Sequence, residues 1–190
     1  GGITSIARFC SWLVPFMALF YIAGCIIILI LRIETIPDTI VLILESAFSG
    51  HAMTGGFLGA GVREAIRFGV ARGLFSNESG LGSAPIVAAA AKTKNPVDQA
   101  LVSSSGTFWD TVVVALLTGL VVVNSGEWTT AQEGAAVTRA AFSQIPVVGP
   151  IVLTVGLVTF VFSTILGWSY YGEKALEYLW GSRAIRPYRY

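Results

Sequence analysis

Charge is scarce in this sequence, and so are the side chains that do acid–base and metal chemistry. Only 12% of its 190 residues are Asp, Glu, Lys or Arg, and it holds one histidine, His51, and two cysteines, Cys10 and Cys25. A single histidine with no evident partner makes no acid, base or metal constellation, so an enzyme is not expected. Gly80-Leu81-Gly82-Ser83 is followed by no Gly-Lys-Ser/Thr and is neither a phosphate loop nor a nucleophile elbow. The cysteines lie in one apolar segment which, as a helix, would hold them about 22 Å apart, so they do not bond to each other. A net charge of +1 provides neither a broad basic face nor an acidic tail, and nucleic acid is not an expected partner.

Apolar side chains are what the sequence has in excess. At 54% hydrophobic residues and a mean hydropathy of +0.73, the chain carries more apolar surface than a soluble domain of this length can bury. The expected solvent is the lipid bilayer. The first residue is Gly1 rather than methionine and no signal-peptide pattern follows it, so the chain is expected to be cut from a longer one.

Four crossings are expected. Trp12 to Leu31 is an unbroken apolar run whose helical length, about 30 Å, matches the hydrocarbon core; Pro15 stands near its start, with Arg8 before it and Arg32 and Glu34 after it. Residues 36–48 are shorter, begin with Pro37 after Ile36 and contain Glu45, which fits a surface or re-entrant helix. The second crossing, 70–91, has a polar, glycine-containing centre and reads as a discontinuous helix. It follows a glycine-dense stretch with Arg63, Glu64, Arg67 and Arg72. The third, 103–123, carries Asp110 well inside its apolar run, and 124–146 is an outer connection holding a short helix. The last is 147–171. Lys92 and Lys94, and Lys174 with Arg183, Arg186 and Arg189, place those ends in the cytoplasm and make this a multi-pass protein of the cytoplasmic (inner) membrane.

Polar groups at membrane depth are costly and mark candidate sites. Ser76-Asn77-Glu78-Ser79-Gly80 is the strongest: glycines let a helix unwind, its freed amides can face a carboxylate and its carbonyls a cation, although a kinked helix with internally satisfied polar atoms has the same composition. Ser163 and Thr164 offer adjacent hydroxyl oxygens to a small cation, or bond back to their own helix. Trp168, one turn beyond Thr164, shares its helix face and either looks into the same cavity or anchors the interface with Tyr170 and Tyr171. Asp110 is a gate or proton-coupling acid, or the structural partner of Arg72. Arg63, Arg67 and Arg72 belong to an inner gate or snorkel to headgroups.

The stretch GVARGLFSNESGLGSAPIVAAAAKT, Gly69 to Thr93, closely resembles the signature of the alanine or glycine:cation symporter family. LVPFMALFY (Leu13 to Tyr21), GTFWDT (Gly106 to Thr111) and FSTILGWSYYGEKALEYLWG (Phe162 to Gly181) resemble further segments in the same order, so the likeness covers essentially the whole chain. Two positions depart from it: the family often has alanine where Ser79 stands, and histidine within Ala88 to Ala90.

The resemblance implies an all-α, LeuT-type (APC superfamily) fold of two inverted five-helix repeats, of which this polytopic bundle would supply helices five to eight. It implies symport of alanine, glycine or a similar small neutral amino acid with sodium as coupling ion, no other cofactor, and a site completed by the remaining helices of the parent chain. Substrate contacts would fall to Thr164, Trp168, Asn77, Ser79 and Gly80, and sodium ligation to Ser163 and Thr164. Trp168 would limit side-chain size. A channel or pore, and a fragment unable to transport by itself, are the competing readings.

Overall fold

A computed structural model describes residues 3–48, 78–129 and 134–189, and among these the secondary structure is all helical. Among the described residues three helices are long and apolar enough to cross a membrane. Helix α1 (Ile3–Ile30) leads through a 3-10 turn, Ile33–Thr35, into α2 (Ile36–Phe48). The five-residue α3 (Ala84–Ala88) is followed by α4 (Pro96–Ser125). After a 3-10 turn, Glu127–Thr129, come α5 (Ala135–Ser143) and α6 (Val148–Trp180). Another 3-10 turn, Ser182–Ala184, precedes α7 (Ile185–Tyr188). Of the expected crossing at 70–91, residues 70–77 lie outside the described residues; the remainder holds the turns around α3.

Three helices exceed their expected ranges for local reasons. Helix α1 begins at Ile3, so Pro15 is an interior residue rather than a first-turn one. It leaves the Ser11 carbonyl without its usual donor, a loss that membrane helices tolerate when neighbours compensate. Helix α4 begins at Pro96 because Asn95 caps it, Oδ1 accepting from Val97 N–H at 3.0 Å, and because proline suits the first turn. Helix α6 runs past Tyr171 to Trp180, since Glu173, Lys174 and Glu177 form a polar, helix-favouring end with a Lys174–Glu177 pair at 2.6 Å; it stops at Gly181, φ +76°.

Directions follow from the contacts. Gly24 faces Val152, Gly156 faces Tyr21 and Met17 meets Ser163, so α1 and α6 are antiparallel. Tyr21 with Thr118 (3.0 Å) and Arg32 with the Asn124 carbonyl (3.4 Å) make α1 and α4 parallel. At this end Asn124 Nδ2 donates to both Thr35 Oγ1 (2.8 Å) and Thr39 Oγ1 (3.0 Å), tying α2 to α4. The core lies nearby, with Tyr21, Cys25, Ile28 and Leu29 of α1 against Val121, Phe142, Val152 and Leu153. At the opposite end Arg189 holds Glu173 through two hydrogen bonds of 2.8 Å, folding α7 back on α6. That carboxylate pushes the Arg189 guanidinium further toward its charged form.

One turn is strained. Val147 has φ 69° and ψ −58°, and Val148 N–H donates to the Pro146 carbonyl at 2.8 Å across it, a tight three-residue turn that disfavours a β-branched side chain. Such strain costs on the order of 1–3 kcal/mol. Val147→Gly is therefore expected to raise the thermal midpoint of the purified full-length protein; a lower midpoint would show that the valine side chain contributes more than the turn costs.

Candidate functional site

A cavity of about 580 Å³ opens between α1, α4 and α6. Its walls are mostly apolar, with Met17, Leu19 and Ile22 from α1, Trp109 and Val114 from α4 and Phe160 from α6. Three oxygen-bearing side chains break that surface: Asp110, Ser163 and Thr164. The pattern of an apolar pocket with a few convergent polar groups is that of a small-molecule site.

The two hydroxyls are oriented by one carbonyl. Ser163 Oγ donates to Phe160 O at 2.8 Å and Thr164 Oγ1 donates to the same oxygen at 2.9 Å. This is the back-bonding that serine and threonine commonly make in membrane helices. It does not use up the hydroxyls, because each oxygen has one proton to give and keeps two lone pairs for a cation or another donor. The two readings of this pair are thus compatible. Met17 Sδ lies 3.7 Å from Ser163 Oγ and closes one side.

Asp110 reaches the cavity from an unusual backbone. Between Phe108 and Ala115 α4 widens into a π-helix, while Pro96–Thr107 and Leu116–Ser125 are α-helical. Long π-helical stretches are rare and concentrate at functional sites. Asp110 is partly buried and has interactions of its own, so it joins the wall as an engaged acid.

The broken segment meets α4 just before this widening. Leu81 N–H donates to Glu78 O at 2.9 Å, closing a turn in which Gly80 has φ +86°, a value that glycine adopts without the penalty of a Cβ. Ser79 Oγ then lies 2.6 Å from Thr107 Oγ1. Glu78 turns toward Tyr171 of α6, with one carboxylate oxygen buried and without a hydrogen-bond partner among the described residues.

Of the expected site residues, Asp110, Ser163 and Thr164 are brought together. Ser79 and Gly80 are close by on the Thr107 side but are not part of this wall. Trp168 is not part of it either: it is half-exposed and packs edge-to-face on Tyr171, with ring centroids 5.8 Å apart. Helical spacing put Thr164 and Trp168 on one face, but the cavity ends at Thr164. Asn77, Arg72, Arg63 and Arg67 lie outside the described residues. Met17 and Thr107 were not singled out from the sequence as site residues, since nothing in residue type announces a contact across 146 or 28 positions.

Known proteins resemble this chain along its whole length. Residues 1–190 match the family described as the sodium:alanine symporter family. A Haemophilus influenzae protein named as an uncharacterized transporter is 51% identical over 192 residues, covering 100% of this chain and 42% of that protein. The sodium/alanine symporter AgcS of Methanococcus maripaludis is 50% identical over 193 residues, again 100% of this chain and 42% of the relative. The sodium/proton-dependent alanine carrier protein of Bacillus sp. is 33% identical over 195 residues, 94% of this chain and 43% of the relative. The chain thus spans about two fifths of the length of these relatives, and it belongs to the sodium:alanine symporter family.

Proposed function

We propose that the protein containing this chain carries small neutral amino acids, alanine first and glycine with it, across the cytoplasmic membrane in symport with sodium. The observation that carries this reading is the cavity in which Asp110, Ser163 and Thr164 supply oxygen to an otherwise apolar space between membrane-spanning helices. Sodium would take hydroxyl and carbonyl oxygens, as hard cations do, and its charge would offset the acid and draw the substrate carboxylate. The names of the relatives AgcS and the Bacillus carrier support alanine and sodium.

The architecture we propose is LeuT-type. Helices α1 and α4 run in the same direction, and between them hydropathy offers a discontinuous crossing at about 70–91. The end of the bundle shared by Arg8, Lys92, Lys94, Lys174, Arg183, Arg186 and Arg189 faces the cytoplasm, since only Arg32 and Arg139 of the described basic residues lie at the other. The isolated chain does not transport: only 6% of the most apolar stretch of α4 is buried, and the remaining helices of the parent complete the enclosure.

Uptake of labelled alanine by the full-length protein in proteoliposomes tests this. An inward sodium gradient is expected to drive accumulation, and a proton gradient alone is not. Flux that ignores both gradients would mean a pore. Accumulation on protons alone, lost in Asp110→Asn, would make Asp110 the coupling group in place of a sodium site.

A further inference from the structure

The π-helical stretch of α4 is bracketed by two hydroxyl contacts. Immediately before it, Thr107 Oγ1 meets Ser79 Oγ at 2.6 Å. Three residues after it, Thr118 Oγ1 meets Tyr21 at 3.0 Å and donates to the Val114 carbonyl at 2.8 Å. Since the Thr118 proton is committed to that carbonyl, Tyr21 is the donor in their contact. Within this chain α4 is the least buried of the three long helices, and of the π-helical residues Val114 packs against the core. A π-helix is not the default winding for such a sequence and needs a local cause.

We propose that Thr107, held by Ser79, is a positioning residue: the hydroxyl pair fixes the π-helical register and thereby aims Asp110 and Val114 into the cavity. The extra winding amounts to at least one residue, and its removal would turn the cavity-facing side chains by about 100° relative to the Thr118 contact. Ser79 belongs to the turn made by Glu78, Gly80 and Leu81, so the break in the chain at that turn and the widened part of α4 are tied together by one hydrogen bond. A shift of the broken segment is then transmitted through Thr107 and α4 to the acid in the cavity. This inference rests on the transport reading only for its uptake measurement.

The test uses the full-length protein with Cys10 and Cys25 replaced by alanine and Val114→Cys introduced as a reporter. Labelling by a small water-soluble thiol reagent is expected to slow by about threefold to tenfold in Thr107→Val, the population shift that one hydrogen bond of ordinary strength sets. Thr107→Ser should restore the rate, and Ser79→Ala should reproduce the valine effect and add nothing to it. In uptake, with residue 114 left as valine, the same variants should raise the alanine KM and leave the maximal rate largely intact. Labelling of the Thr107→Val and Ser79→Ala proteins at the starting rate would overturn the proposal. If the unaltered protein takes up no alanine, the transport reading fails, and the labelling still decides the role of Thr107. Should Thr107→Val not fold, Ser79→Ala against the starting protein decides it.

Discussion

Replacing Thr164 by valine in the full-length protein is expected to raise the sodium concentration giving half-maximal alanine uptake by about tenfold to a hundredfold, the loss of one oxygen to a charged partner in a largely apolar site. Valine keeps the branched shape, so packing against Phe160 and the neighbouring turn changes little. What disappears is the oxygen whose lone pairs remain available while its proton is held by the Phe160 carbonyl. Ser163→Ala should act in the same direction, because Ser163 leans on the same carbonyl. Thr164→Ser keeps the oxygen and should stay close to the starting protein. Sodium dependence measured at saturating alanine is the readout, and an unchanged midpoint in Thr164→Val would remove this hydroxyl from the ion site.

Gly24→Leu and Gly156→Leu should each separate α1 from α6. A Cβ at Gly156 would lie 2.8 Å from Tyr21 Cδ2, and one at Gly24 would collide with Val152, so the two helices approach more closely than any larger residue allows. Small residues at helix crossings permit this approach in membranes, where van der Waals contact rather than water expulsion holds helices together. Overpacking usually costs about 1–3 kcal/mol per site, and a leucine adds several heavy atoms where the first already clashes. The expected result is loss of a monodisperse peak in detergent and loss of uptake for both variants. Gly167→Leu, with no neighbour near the position of its Cβ among the described residues, is the matched control and should retain the peak. Normal behaviour of Gly156→Leu would mean that the seam is looser than the contacts indicate.

What could be read from the residues and what could not divides along a physical line. Long apolar runs declare themselves, and an acid inside one, such as Asp110, declares a polar interior. Hydroxyls at 163 and 164 were visible as candidate ligands, and the structure adds that a single carbonyl orients them. The winding of α4 was not visible, because Phe108 to Ala115 has the composition of any apolar helix and its π geometry is stabilised by partners far away in sequence. Trp168 shows a limit of another kind. Periodicity correctly put it on the face of Thr164, but periodicity says nothing about how far a cavity extends along that face. Apolarity begins at Trp12 and puts Pro15 near a helix start, whereas the backbone begins its helix nine residues earlier at Ile3.

Among the described residues, α4 is tied to α1 and α2 near one end, by Tyr21 at Thr118 and by the Arg32, Thr35 and Thr39 group at Asn124. From Thr118 the helix extends about 12 Å to Asp110 and about 33 Å to Pro96. Measured from the Thr118 to Asn124 region, where α1 and α2 hold it, α4 is a lever arm whose near part lines the cavity and whose far end is Pro96. A tilt small enough to leave those hydrogen bonds intact moves the Pro96 end roughly three times as far as the cavity wall.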